Sequence, residues 1–427
     1  MINGSLPANF VLRMIDLERL AEEFIVPDYR GQTLANIPAT AAALLGAPFE
    51  GLPPLYEDYW RPFQNNTKRV IVLLLDAFGW NLFQQERERL DWLVGRSAVQ
   101  SKLTSIFPST TVAALSSLWT GCAPAQHGLV GLRLFFPEYA ALGQLIRFSP
   151  NFMNLPDTLV QAGTTPETFL AVPGFAEQLS AAGIPAHSFK GKDIIASALS
   201  RMHDRGVLHQ HGYVTTADLF VQLRHLLEAS AGERLYINAY WPAIDTLSHI
   251  YGPAGVSVAA ELHAVLAQLK AELLDRLSPT ARAGTVLFIT GDHGQIRTTP
   301  EHSLNLAHHR GIAENMLMRP AGEPRVLYFY ARQGKKAALI NYINEALSEA
   351  AVAFDADEVL ASGLLGPAPH APASRERMGD VVVLMRHNYL LVDPDEAHKV
   401  DLLNGRHGGL TAEEMEIPWL ALKLDEL

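Results

Sequence analysis

Three carboxylates, three imidazoles and a run of hydroxyls stand in this sequence where a metal-assisted reaction could be built. Asp76 closes the apolar run Val70–Leu75, Asp292 and His293 follow the run Thr285–Thr290, and His407 lies in Gly405-Arg-His-Gly408 near the carboxyl end. Asp245 and His249 are four residues apart, so in a helical turn they share one face and can grip a single ion. The adjacent pair Asp292-His293 can do the same across a tight turn after a strand, so two mixed nitrogen and oxygen sites can be assembled from this set. Taken singly, an Asp at a strand end is more often a turn or helix cap, and a lone His is usually a satisfied core or surface residue. It is the set that points to a metal. In Phe107-Pro-Ser-Thr-Thr-Val112, the hydroxyls of Ser109, Thr110 and Thr111 open an expected helix, where unpaired N–H groups and the helix dipole favour an anion such as phosphate.

Side chains this far apart in sequence act together only if strand ends bring them to one edge. Val70–Leu75 predicts a buried strand, and Trp80 to Leu93 follows with helical periodicity. The same grammar recurs at Arg234 to Tyr240 before a helical stretch, and at Thr285 to Thr290 before Gly291. The expected fold is therefore α/β, with a mostly parallel central sheet and helices on both faces, and with ligands bound beyond the carboxyl ends of the strands.

For 427 residues the length alone suggests two or three domains, at roughly 150 residues each. The expected organisation is an N-terminal extension packed on the core over 1–66, a first part of the core over 67–296, a small α/β cap-like insertion over 297–399, and core completion over 400–427 with the last candidate ligand. Within the insertion, strands are expected at Arg325–Tyr330, Asp380–Met385 and Tyr389–Val392 and a helix at Lys335–Ala350; Pro418–Leu424 is the expected final strand.

Composition narrows the classes. With 48% apolar and 19% charged residues the chain is neither disordered nor fibrous. A single cysteine, Cys122, excludes an intrachain disulfide and a cysteine-built zinc finger, so any metal must use His and carboxylates. The balance of 34 basic against 45 acidic residues, a net charge of −11, disfavours a nucleic-acid polymer as partner. No apolar run approaches the ~20 residues of a membrane span, and no signal-type block opens the chain, so a soluble, cytoplasmic protein is expected.

The ordered set Leu75-Asp76-Ala-Phe-Gly79, Phe107-Pro-Ser-Thr-Thr111 through Thr120-Gly121 and His127-Gly128, Asp245-Thr-Leu-Ser-His249-Ile-Tyr-Gly-Pro253, Gly291-Asp-His-Gly294 and Gly405-Arg-His-Gly408 resembles the type I phosphodiesterase/nucleotide pyrophosphatase family of the alkaline phosphatase superfamily. The resemblance spans about residues 68–295 and 404–424 and leaves out the extension and the insertion. It implies two divalent ions, zinc in that family. Asp76, Asp292 and His293 would hold one ion, with Thr111 bound to it as the nucleophile, and Asp245, His249 and His407 would hold the other. Thr111 is preferred to Thr110 because it takes the last position of the family's Pro-x-x-Thr pattern. One departure stands out: Leu132 replaces the asparagine that helps hold a phosphoryl oxygen.

The implied reaction is cleavage of a small phosphate ester, a phosphodiester or nucleotide pyrophosphate, in two displacements through a phosphothreonine. Other readings are a phosphomonoesterase or phosphonate hydrolase on the same scaffold, or a catalytically inactive metal-binding protein. A sulfatase is disfavoured, because Thr111 cannot become a formylglycine. No Arg or Lys lies between Ser105 and Leu132, which favours a singly charged diester, although Arg133, Lys190 or Arg406 could supply a cation from elsewhere. Lys192 shares the possibility raised for Lys190. His302, His308 and His309 read as a polar connection, His209 and His211 as a solvated irregular stretch, and Cys122 as a small buried residue.

Overall fold

The structure, a computed structural model, describes residues 15–427, so the first part of the expected N-terminal extension lies outside the described residues. Its centre is a seven-stranded sheet in the order Val99–Thr104, Glu416–Lys423, Thr285–Thr290, Arg69–Leu75, Leu235–Trp241, Ala186–Gly191, His209–Tyr213. The last five of these are mutually parallel, and Glu416–Lys423 runs antiparallel to both its neighbours. This is the mostly parallel α/β sheet expected from the sequence.

Arg69–Leu75 explains why the sheet is covered on both sides. Every residue in it is buried. Val70, Val72 and Leu74 face one apolar cluster, whereas Ile71, Leu73 and Leu75 face another, as the two-residue period of a strand demands. Helices Ile37–Leu45, Thr111–Thr120 and Phe175–Ala181 fill the first cluster; Trp80–Glu86, Thr216–Ala229 and Val256–Gln268 fill the second. Gly46 and Gly121 end the first two of these helices in the left-handed conformation, with φ of 66° and 67°.

A second seven-stranded sheet has the order Ala351–Asp355, Val381–Met385, Val326–Phe329, Ala321–Glu323, Arg133–Phe136, Ala141–Gln144, Ser149–Pro150. The segment 297–399 thus shares its sheet with residues 133–150, through the antiparallel pairing of Gly322 with Arg133. Patterning within 297–399 shows its own strands but carries no signal for a partner strand that lies so far upstream. The seam between the two segments lies beside the candidate site. Among the described residues no helix is long and apolar enough to cross a membrane.

Candidate metal centre

The strand ends deliver their polar residues to one place. Asp76 follows Arg69–Leu75, Asp292 and His293 follow Thr285–Thr290, and Asp245 and His249 lie on helix Ala243–Tyr251 just after Leu235–Trp241. Gly291 lets the first two turns touch: a Cβ there would lie 2.3 Å from the Phe78 carbonyl oxygen. His407 enters from the far end of the chain on the short strand Gly405–Arg406, which pairs with Ile296–Arg297.

Two groups of potential ligand atoms result: Asp76, Asp292 and His293, and Asp245, His293 and His407. His293 belongs to both. Its Nε2 lies 3.5 Å from Asp76 Oδ1, 3.4 Å from Asp292 Oδ2 and 3.1 Å from the Thr111 hydroxyl. Asp245 Oδ1 lies 3.4 Å from His249 Nε2 and 3.7 Å from His407 Nε2. His249 therefore stands beside the second group rather than within it, and all seven residues singled out in the sequence are brought together.

The arrangement is held from behind in the way metal ligands require. Each of the three imidazoles places Nδ1 against a backbone carbonyl: His293 on Gly294 at 3.0 Å, His407 on Ser109 at 2.9 Å and His249 on Gly405 at 2.8 Å. Donation from Nδ1–H leaves each Nε2 as a lone-pair donor facing the cluster. Asp292 Oδ1 accepts the N–H groups of Ala77 and His293, both at 3.0 Å, and the Tyr240 hydroxyl donates to Asp76 Oδ2. Gln295 donates to Asp245 Oδ1 at 2.6 Å.

What remains unpaired is informative. Asp76 Oδ1 and Asp292 Oδ2 are buried and no donor among the described residues reaches them. Burial and the neighbouring carboxylates Asp292 and Asp245 push the Asp76 carboxyl well up, and burial pushes Asp292 up as well. Burial, together with His293 and His249, pushes His407 well down. Carboxyls that resist ionising beside an imidazole, that of His407, which resists protonation fit cations at this place, since a divalent ion reverses both penalties.

Thr111 is the first residue of helix Thr111–Thr120, with its hydroxyl at the cluster. Thr110, one position earlier, stands at the N-cap position and is buried. Ser109 ties this turn to the His407 loop, donating to the Gly409 carbonyl at 2.7 Å and accepting from the Gly408 N–H at 3.2 Å. A cavity of about 200 Å³ opens over Thr111 and is lined by Asp245, His249 and His407 together with Leu132, Arg133, Glu323, Glu396 and Arg406. Glu323 is 3% exposed, its Oε1 finds no donor among the described residues, and burial pushes its carboxyl up to about 8.

The sequence signals missed Tyr240, Gln295, Glu323 and Glu396. Tyr240 sits at the end of a predicted strand and Gln295 lies three residues past Asp292, so both were within reach of the strand-end rule. Glu323 and Glu396 come from the segment 297–399, where no local pattern marks them. Lys190 is diverted from the site: it forms a buried pair with Asp204 at 2.8 Å. Lys192 is exposed, and His302, His308 and His309 lie outside the cavity lining. His209 and His211 stand on a regular edge strand, where His211 stacks on Phe189 with ring centroids 4.2 Å apart, so that stretch is neither irregular nor wholly solvated. Cys122 is buried.

A sequence model of the family described as "Type I phosphodiesterase / nucleotide pyrophosphatase" matches residues 70–410, well over half of the chain. No curated protein matches. Among solved structures, murine ectonucleotide pyrophosphatase/phosphodiesterase 5 is similar in fold, with a TM-score of 0.62 at 17% identity over 83% of this chain and 87% of that one. An inactive threonine-to-alanine variant of that protein in complex with AMP gives 0.63 at 17% identity over 83% and 88%. Phosphonoacetate hydrolase from Sinorhizobium meliloti, in complex with phosphonoformate, gives 0.58 at 18% identity over 82% and 89%.

Proposed function

The chain belongs to the type I phosphodiesterase/nucleotide pyrophosphatase family and is a metal-dependent hydrolase, and on that premise we propose that it cleaves phosphodiester or nucleotide pyrophosphate bonds with Thr111 as nucleophile. The observation that carries this is the meeting of the Thr111 hydroxyl, His293 Nε2 and two donor-less carboxylate oxygens at the first turn of a helix.

Asp76, Asp292 and His293 would hold one zinc ion beside Thr111, and Asp245, His249 and His407 the other. When bound, two such ions lower the pKa of a hydroxyl and offset charge on phosphoryl and leaving oxygens. Thr111 is positioned by its helix to attack phosphorus from a fixed direction. The Val112 N–H, in the first turn and without an intrahelical acceptor, is placed to donate to a phosphoryl oxygen where Leu132 offers no amide. The resulting phosphothreonine is then hydrolysed in a second displacement that restores the hydroxyl. The segment 297–399, with residues 133–150, contributes part of the cavity wall over Thr111.

Steady-state kinetics on zinc-loaded protein test the proposal. Bis(p-nitrophenyl) phosphate should be cleaved with higher kcat/KM than p-nitrophenyl phosphate, and a chelator should abolish both activities. A clear preference for the monoester would refute the diesterase assignment and leave family membership intact.

A further inference from the structure

Lys190 being spoken for, the cavity over Thr111 takes its cations from Arg133 and Arg406. Both are fixed and nearly buried. Arg133 is anchored by its strand and by Nε donation to the Gly322 carbonyl at 3.1 Å, and it pairs through Nη1 with Glu396 at 2.8 Å. Arg406 precedes the candidate ligand His407 on a paired strand and is 7% exposed, and Glu396 is the charge that offsets its burial. The carboxylate is held differently. Glu396 comes from the short turn Pro394–Lys399, and its side chain is 20% exposed against 7% for Arg133.

Glu396 also marks a boundary. An outer cleft of about 770 Å³, lined among others by Arg147, Asn151 and Arg319, shares Arg133, Gln144 and Glu396 with the inner cavity. The Glu396 carboxylate thus pairs with the Arg133 guanidinium and lines the inner cavity together with Arg406, at the border between that cavity and the open cleft. Of the other acids in the inner cavity, Asp245 belongs to the candidate metal cluster, and Glu323 is held largely uncharged by burial below pH of about 8. Arginine pairs at a cavity wall are the usual means of gripping an oxyanion.

Resting on the phosphoryl chemistry proposed at Thr111, we propose that Arg133 and Arg406 form a second anion subsite, in which the Glu396 carboxylate stands in for an oxyanion carried on the substrate's leaving group. The substrate then bears two negative groups, the reacting phosphoryl at Thr111 and a carboxylate or phosphate one short spacer away, and its remainder extends into the outer cleft. Binding moves Glu396 aside and opens the inner cavity to that cleft.

Three inhibitors of bis(p-nitrophenyl) phosphate hydrolysis test this: ethylphosphonate, 2-carboxyethylphosphonate and ethane-1,2-bisphosphonate, with bound metal assayed after each titration. Glu396→Gln should tighten the two doubly anionic ligands about tenfold relative to ethylphosphonate. Arg133→Met and Arg406→Met should erase any preference for them. The carboxylate and bisphosphonate arms tell which oxyanion the subsite favours. Calorimetry with metal-free Thr111→Ala protein repeats the comparison without turnover, so a protein that fails to hydrolyse the diester at all refutes the catalytic proposal while the subsite is still measured. If Glu396→Gln tightens all three ligands equally, the effect is general charge and the subsite is refuted. The same holds if the arginine variants, shown folded by their melting curves, keep the preference.

Discussion

Thr110 and Thr111 are adjacent hydroxyls with different surroundings, and the difference decides their roles. The Thr111 hydroxyl contacts His293 Nε2 at 3.1 Å, inside the cluster, whereas Thr110 stands at the N-cap position with its hydroxyl bonded to Glu323 and not to a helix N–H. Thr111→Ala should therefore remove turnover while leaving the fold and metal content intact, because the helix start keeps its backbone. Thr110→Ala removes a hydroxyl that bonds the Glu323 carboxyl rather than a helix N–H, so it should cost about 0.5–1.5 kcal/mol of stability and keep most of the activity. Matched kinetics and melting curves check this, and the reverse ranking would move the nucleophile by one residue. At this scale the sequence was most legible. Strand-end position and residue type singled out Asp76, Asp245, His249, Asp292, His293 and His407, which the fold gathers in one place, because buried strands leave polar groups only at their ends. The same rule reaches Tyr240, whose hydroxyl donates to Asp76, but a tyrosine in an apolar strand reads as core. Its polar tip is visible only once Asp76 is placed beside it.

At the scale of elements, the last candidate ligand, His407, depends on a loop that is tied to both sheets. Arg325, at the start of the strand Val326–Phe329, donates through Nε and Nη2 to Glu414 at 3.0 and 2.8 Å, and both side chains are fully buried. Glu414 also accepts the Gly409 N–H at 2.8 Å, two residues from His407. Breaking one half of such a pair leaves a buried charge, at a cost of about 3–5 kcal/mol, whereas replacing both halves costs much less. Arg325→Met alone should destabilise the protein by that order and weaken binding at the His407 side of the cluster. The double variant Arg325→Met with Glu414→Gln should recover most of the stability. A denaturant double-mutant cycle with metal titration measures both, and simple additivity would show that the pair does not act as a unit. Nothing in the local pattern of residues hints at this coupling. Arg325 and Glu414 are 89 residues apart, and each alone reads as an exposed charge. The shared second sheet escaped for the same reason, since the pairing of Gly322 with Arg133 is a long-range choice that strand patterning cannot specify.

Across the whole molecule the buried ionisable groups divide into two sets with opposite pH dependence. Asp76 and Asp292 have folded-state affinities for protons raised above the ordinary carboxyl value of 3.8, and Glu323 is raised from 4.5 to about 8. The metal-free folded state then binds more protons than the unfolded chain over that window. Its stability accordingly falls as pH rises from about 4 toward 8. His127, His203 and His407 are pushed below 6.5 by burial, His127 to about 3, so the unfolded chain binds more protons there and stability falls as pH drops below 6.5. Divalent ions need ionised carboxylates and neutral imidazoles, and they remove the penalty on Asp76 and Asp292 while adding about 2.7 kcal/mol per ion at 100 times Kd. The expected result is that the gap in melting temperature between zinc-loaded and chelated protein widens as pH rises above the ordinary carboxyl value of 3.8, because the metal-free carboxyls resist ionising and the metal-bound ones do not. Binding should release protons, read as buffer-dependent heat in calorimetry. Lys190 and Asp204 form a buried pair away from the cavity and should not respond to metal, so their contribution cancels in the difference. A gap that stays constant or narrows over this range would mean that Asp76 and Asp292 do not ionise on binding, and the ions would have to be sought elsewhere in the fold.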